Sequence, residues 1–244
     1  MTVFACLLAL ATAGATQPAP PDAASVAASV VRALDAQLRG VIAFRLRYTF
    51  EERGPGHDKT AAVDSMRLLK DGELIAVRLL REVQNGKTVS ATDLANDQAK
   101  VDKQLPTDDY RLPITPDALK EYQFAYSQAP CDACPAGSVQ IAFTSLKRDT
   151  DHGDGIAVVD RATYRIVRLD FHPSALPAHA DSGTIAMQFG AVLPDLWDVT
   201  ETTQHYTGHM LVFTGWGHVV QTYDEYRRFA SVEEGTKALA AAVP

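Results

Sequence analysis

The sequence predicts a mainly β protein with a few helices, an α+β chain organised around one large curved antiparallel sheet. Three observations predict it. From Val41 to Phe229, short stretches alternate apolar and polar residues, the period of strands with one buried face. The stretches break at Asp71-Gly72, Asn85-Gly86, Asp160-Arg161 or a Gly/Pro cluster, as expected where one strand turns antiparallel onto the next. Between Ala23 and Arg39, by contrast, Val26, Val30, Leu34 and Leu38 recur every four residues, which is a helical stripe.

The chain starts with an apolar run, Val3 to Ala11, too short for a membrane helix of roughly 20 residues. With Ala13-Gly14-Ala15 as an A-x-A cleavage site, residues 1–15 read as a secretory signal peptide. Thr16 to Pro21 would interrupt a buried helix at once, which favours export. No Lys or Arg precedes the run, and Cys6 lacks a lipobox, so the expected product is a soluble periplasmic or secreted protein, not a lipid-anchored one. Residues 16–22, containing Gln17-Pro18-Ala19-Pro20-Pro21, form an extended linker. Residues 23–230 are the expected single domain, and 231–244 a tail. The formal net charge is −7 with acidic residues scattered, which excludes the clustered basic face of a nucleic-acid binder.

The helix at Ala23 to Arg39 follows Pro20-Pro21, takes Asp22 or Ser25 as its cap, and ends at Gly40. Its small-sided stripe suits a cover lying on the sheet. In the next segment Ile42, Phe44, Leu46, Tyr48 and Phe50 share one face, while Arg45, Arg47 and Thr49 share the other. After a loop at Gly54 to Asp58, a meander is expected from Ala62 to Lys70 and Glu73 to Val83. Ser90 or Thr92 then caps a polar surface helix that Pro106 stops. A helical turn at Pro113 to Tyr122 leads back to sheet at 123–127, 139–146, 156–159, 164–171, 183–189, 196–203, 206–213 and 218–226. A capping signal, Ser231-x-x-Glu234, opens the tail, but Gly235 and the alanines leave its helix open.

Few residues carry chemistry. Cys131-Asp132-Ala133-Cys134 lies among Pro130, Pro135 and Gly137 with no helix to activate a thiolate. It reads as a disulfide stapling a loop rather than a redox centre, and the mature chain offers no further Cys to complete a zinc site. His205, His209 and His218 raise a metal hypothesis, yet four residues along a strand span about 13 Å, too far for one ion. Asp149-Thr-Asp-His-Gly-Asp-Gly155 departs from a calcium loop and reads as an exposed turn. No G-x-S-x-G, H-E-x-x-H, P-loop or G-x-G-x-x-G motif is present. The sequence therefore supports no enzyme, metal or cofactor, and a hydrolase or metal site built on His205, His209 and His218 stays open as a third reading.

The exported start, the covering helix, the amphipathic strand and the long meander together resemble the periplasmic lipoprotein-carrier superfamily typified by LolA and LolB. The nearest local likeness is the strand-turn-strand Gly155-Ile-Ala-Val-Val-Asp160-Arg-Ala-Thr163-Tyr-Arg-Ile166-Val-Arg-Leu169. The resemblance is one of pattern and brings over no functional residue. It implies an unclosed LolA-like half-barrel covered by helices, with an apolar hollow for acyl chains. Phe44, Leu46, Tyr48, Phe189, Trp197 and Trp216 are the large residues expected to line that hollow. The expected partner is then a lipid, a lipoprotein acyl chain or another apolar ligand, with transient contact to the membrane or an envelope protein. The alternative is an envelope scaffold or protein-interaction module in which the same residues fill a closed core. The sequence leaves the oligomeric state open.

Overall fold

Among the described residues, alternation and turn chemistry build eleven strands and three α-helices. In chain order they are α1 (Ala23–Gln37), β1 (Val41–Gly54), β2 (His57–Lys70), β3 (Glu73–Gln84), β4 (Lys87–Thr88), α2 (Ala91–Lys103), β5 (Tyr122–Tyr126), β6 (Ser138–Ser145), β7 (Gly153–Asp160), β8 (Ile166–Pro173), β9 (Ala180–Leu193), β10 (Leu196–Met210), β11 (Phe213–Phe229) and α3 (Val232–Ala240). The computed structural model describes residues 21–54, 57–106, 112–131, 134–176, 179–210 and 213–242. The expected signal peptide and most of the linker lie outside them.

All strands belong to one sheet, in the order β4-β3-β2-β1-β11-β10-β9-β8-β7-β6-β5. Every pair of strands consecutive in sequence is adjacent in space except β4 and β5, and β1 pairs with β11 to join the two halves. β4 and β5 end the order unpaired with each other, so the sheet is an unclosed half-barrel. Its hairpins turn as the dipeptides require. Asp71 and Gly72 have φ of 51° and 85°, and Asn85 and Gly86 have 49° and 76°, the double positive φ of type I′ turns. Asp160 Oδ1 accepts from the amides of Ala162 (2.9 Å) and Thr163 (2.8 Å), fixing the β7–β8 turn.

The structure differs from the sequence reading in three places. The expected strands 196–203 and 206–213 are one continuous β10, because β9 and β11 pair with it across Gln204 and His205. Gly153 and Gly155 belong to β7, not to a loop; a side chain at either would strike the Phe171 ring or the Asp170 carbonyl. The tail does form a helix. Ser231 Oγ accepts from Glu234 N at 3.2 Å and Glu234 Oε2 accepts from Ala230 N at 3.0 Å, a capping-box variant whose carboxylate reaches the amide one residue before the cap. Gly235 lets α3 lie flat, since a Cβ there would come within 2.6 Å of Leu68.

Three clusters fill the fold. Beneath α1, Ala23, Val26 and Val30 pack on Tyr122, Ile141, Phe143, Val159, Leu169, Phe171, Ile185 and Phe189. On the opposite sheet face α3 sets Leu239 against Val41, Ala43, Met66, Leu68 and Leu80. The third cluster depends on a split. Pairing between β10 and β11 stops at Glu201–Thr222, so the tip of the β9–β10 hairpin parts from β11. It brings Leu196 onto Ile42, Phe44, Leu46 and Tyr226, with Leu193 and Leu38 alongside. The start of β1 is consequently buried on both faces, from Val41 to Phe44.

Candidate functional site: a groove on the inner face

Residues paired directly across strands share a face, so the register identifies what lines the concave side. One row reads Val63, Tyr48, Gln221, Thr202, Met187, Leu169, Ala157, Ile141 and Tyr126, crossing from β2 to β5. The next reads Ala61, Phe50, Val219, Gln204, Ile185, Phe171, Gly155, Phe143 and Phe124. α1 packs mainly against β5 and β10 and covers the later part of both rows. α2 lies along β3, and α3 on the outer face. The β1–β2–β11 part of the inner face is thus a groove without a helix in its main contacts. Tyr48, Phe50, Ala61 and Val63 are half-buried there, and Val219 and Thr202, further along the same rows, are buried.

The floor is polar at one point. Thr202 Oγ1 donates to the Tyr223 hydroxyl at 3.4 Å, which donates to Gln221 Oε1 at 3.1 Å. At the open end Tyr206 stands opposite Gly217, and its ring occupies the space that a Cβ at Gly217 would need. Burial pushes the Tyr206 phenol above its ordinary pKa, helped by Glu52 and Tyr48 nearby. At the inner end, where β10 parts from β11, burial pushes the Asp198 carboxyl up to about 6, against a hydrogen bond of 2.8 Å from Val199 N. Aromatic walls, an amide–hydroxyl floor and no metal-like cluster among the described residues suit holding an amphipathic molecule.

The six residues expected to line one hollow are distributed differently. Phe44 and Leu46 lie in the closed third cluster, with Phe44 stacked on Tyr226 at 5.2 Å between centroids. Phe189 and Trp197 lie under α1. Gln37 Oε1 accepts from Trp197 N at 2.8 Å, and Trp197 Nε1 donates to Ile166 O at 2.6 Å. The space left between them and Val30, Leu34 and Gln37 is about 10 Å³, room for one water and no acyl chain. Trp216 pairs with Arg53, which places it on the outer face beneath the Arg53 guanidinium, 5.7 Å from the ring centroid. Tyr48 alone of the six fronts the groove. Sequence reasoning missed Phe50, Val63 and Val219 as its partners, although Phe50 continues the Phe44–Tyr48 alternation.

The other candidates resolve as follows. Cys131 and Cys134 form a disulfide, Cα atoms 5.4 Å apart, in the loop between β5 and β6. His205 and His218 are a cross-strand pair with ring centroids 6.3 Å apart on the outer face, while His209 is held by Asp181. His152, read as part of an exposed loop, is 3% exposed. Its Nδ1 meets Asp149 Oδ1 at 2.7 Å and its Nε2 meets Glu121 Oε2 at 3.0 Å. Burial opposes its charge, but Glu121 and Asp149 outweigh that and raise its pKa. Both ring nitrogens are thus engaged by carboxylates, which favours the protonated ring and holds it in place. The Asp149 carboxylate also accepts from the amides of Asp151 and His152, a local turn signal that the sequence carried.

Among the described residues no helix is long and apolar enough to cross a membrane. No family model matches the chain, and no curated protein matches it. Solved structures similar in outline include an outer membrane lipoprotein-sorting protein domain from Vibrio parahaemolyticus (13% identity, 89% of this chain and 97% of that one, TM-score 0.40). A DUF1329 family protein from Desulfovibrio piger is 12% identical over 90% of this chain and 100% of that one, with TM-score 0.41. A LolA superfamily protein from Nitrosomonas europaea is 11% identical over 85% and 96%, with TM-score 0.35. Likeness at this level carries no argument about ligand or role; the half-barrel is read from the sheet itself.

Proposed function

We propose that the protein is an exported, non-catalytic binding protein that holds the acyl chain of a lipid or lipoprotein along the inner-face groove. The observation that carries the reading is the half-buried strip of Tyr48, Phe50, Ala61 and Val63, which has no helix among its main contacts and continues into buried Val219 and Thr202. Each buried methylene contributes about 0.8 kcal/mol, so an acyl segment of roughly six methylenes would contribute about 5 kcal/mol. The polar end of the ligand meets the Thr202–Tyr223–Gln221 chain. The Cys131–Cys134 disulfide fits an oxidising compartment such as the periplasm. Native mass spectrometry of protein purified from the exported fraction tests this: bound lipid-mass adducts that organic extraction removes support it. Protein that is ligand-free from every host, and takes up no acyl chain, contradicts it.

A second reading has its own observation. The pocket between the end of α1 and Trp197 holds only about 10 Å³, as in an interaction module whose groove takes a protein segment instead. Co-purification of a polypeptide on the Tyr48–Phe50 strip, with no lipid, is the outcome that reading expects.

A further inference from the structure

β4 pairs with β3 only at Val83 and Gln84, so among the described residues β3 from Leu74 to Leu80 has no strand on its outer side. A bare edge of this kind is open to pairing with another chain. Here one side chain covers it. Gln98 of α2 accepts from Leu79 N at 2.7 Å through Oε1 and donates to Val77 O at 2.8 Å through Nε2. Those are the two bonds that a neighbouring strand would make. The cover is lightly held, because α2 buries no residue fully, and its N-terminal cap is the exposed pair of Ser90 and Asp93.

We propose that the outer edge of β3 is a strand-addition site, and that an extended acidic–apolar segment of a partner protein replaces Gln98 there. The side-chain pattern selects that occupant. Leu79 pairs with Ser65, itself opposite Leu46, so Val77 and Leu79 face the groove side and take apolar residues of an added strand. Arg78 and Arg81 are exposed, and Arg78 shares the outer face with Met66. Asp64, the cross-strand neighbour of Arg81, is already bound by Arg45, and neither Arg78 nor Arg81 has an ion-pair partner among the described residues. Two uncompensated guanidinium groups beside a strand edge call for Asp or Glu at alternate positions of the incoming segment. The segment needs about five or six residues, an ordinary strand length. The site is separate from the groove and does not depend on what the groove holds.

The test uses the full protein and two capped synthetic peptides, one alternating Val with Glu and one alternating Val with Lys. The expected result is that the Val–Glu peptide binds and speeds amide exchange in α2, while the Leu79 amide stays protected. Gln98→Ala removes the competitor and is expected to raise affinity about tenfold, equivalent to about 1.4 kcal/mol. Arg78→Glu/Arg81→Glu alters two exposed side chains, keeps the fold, and is expected to move preference to the Val–Lys peptide. Absence of binding to both wild type and Gln98→Ala overturns the proposal, as does binding that leaves α2 exchange unchanged. Dimerisation of Gln98→Ala without peptide also overturns it, because the edge would then take a second copy.

Discussion

The Tyr226 phenol donates a hydrogen bond of 2.8 Å to the carbonyl of Val199, across the point where β10 and β11 stop pairing. Strand separation leaves that carbonyl without a ladder partner on the β11 side, and a side chain supplies one. An acceptor stripped of its partner in a buried setting costs about 1–3 kcal/mol. Tyr226→Phe is therefore expected to lower the unfolding free energy by that amount, read as a lower urea midpoint at an unchanged m-value. Tyr226→Ala also removes the ring stacked on Phe44, and the expected loss is about 3–5 kcal/mol. An unchanged midpoint in Tyr226→Phe would show that the split is held by apolar packing alone.

Asp198 lies beside the same split, its carboxyl pushed up to about 6 by burial. The folded state therefore binds a proton more tightly than the unfolded chain, whose Asp titrates near about 3.9. Stability from this group is full below that value and declines as pH rises to about 6. Above it, the ionised carboxylate carries a penalty of order 2–3 kcal/mol. Asp198→Asn is expected to be more stable than wild type at pH 8 and no more stable at pH 4, as read by urea unfolding at both values.

His152 works in the same direction over a higher window. Its pKa is raised in the fold by Glu121 and Asp149, with the Tyr122 ring 6.0 Å away. The stability it contributes is complete below an unfolded value of about 6.5 and is lost as pH rises through its folded pKa. His152→Gln is expected to lower stability most at pH 5–6 and to flatten the wild-type decline above pH 6.5. A thermal-denaturation series from pH 5 to 9 reads this, and parallel curves for the two proteins would contradict it.

The Cys131–Cys134 bridge closes a very short loop at the sheet's β5 end. Chain entropy assigns such a loop about 2 kcal/mol. Replacing both residues by Ser is expected to cost no more than that and to leave acyl binding intact. A loss of binding on reduction would mean that the loop takes part in the site.

Most of the sheet was legible because turn dipeptides and alternation are local signals. Asp71-Gly72 and Asn85-Gly86 adopt the backbone their residues prefer. The groove was only partly legible. Alternation along β1 tells which residues share a face, but not which part of that face another element covers. Phe44 is covered because β10 leaves β11 at Glu201–Thr222, and Trp197 because α1 ends over it; neither event is written near those residues. Trp216 was placed on the wrong side for a simpler reason: its face follows from pairing with Arg53, which β11 alone does not reveal. Gly235 and Gly155 looked like breakers, and their role as close-approach points depends on Leu68 and Phe143, far away in sequence.

The central claim is that the uncovered inner face binds an acyl chain, and adjacent residues of β1 test it. Phe50 faces the groove, while Thr49 is exposed on the outer face. Titration of a fluorescent fatty acid into wild type, Phe50→Glu and Thr49→Glu compares the two faces at one strand position. The account expects wild type and Thr49→Glu to bind alike and Phe50→Glu to bind at least tenfold more weakly, with its unfolding midpoint retained. Equal affinity in all three proteins, or no binding in any, would contradict it.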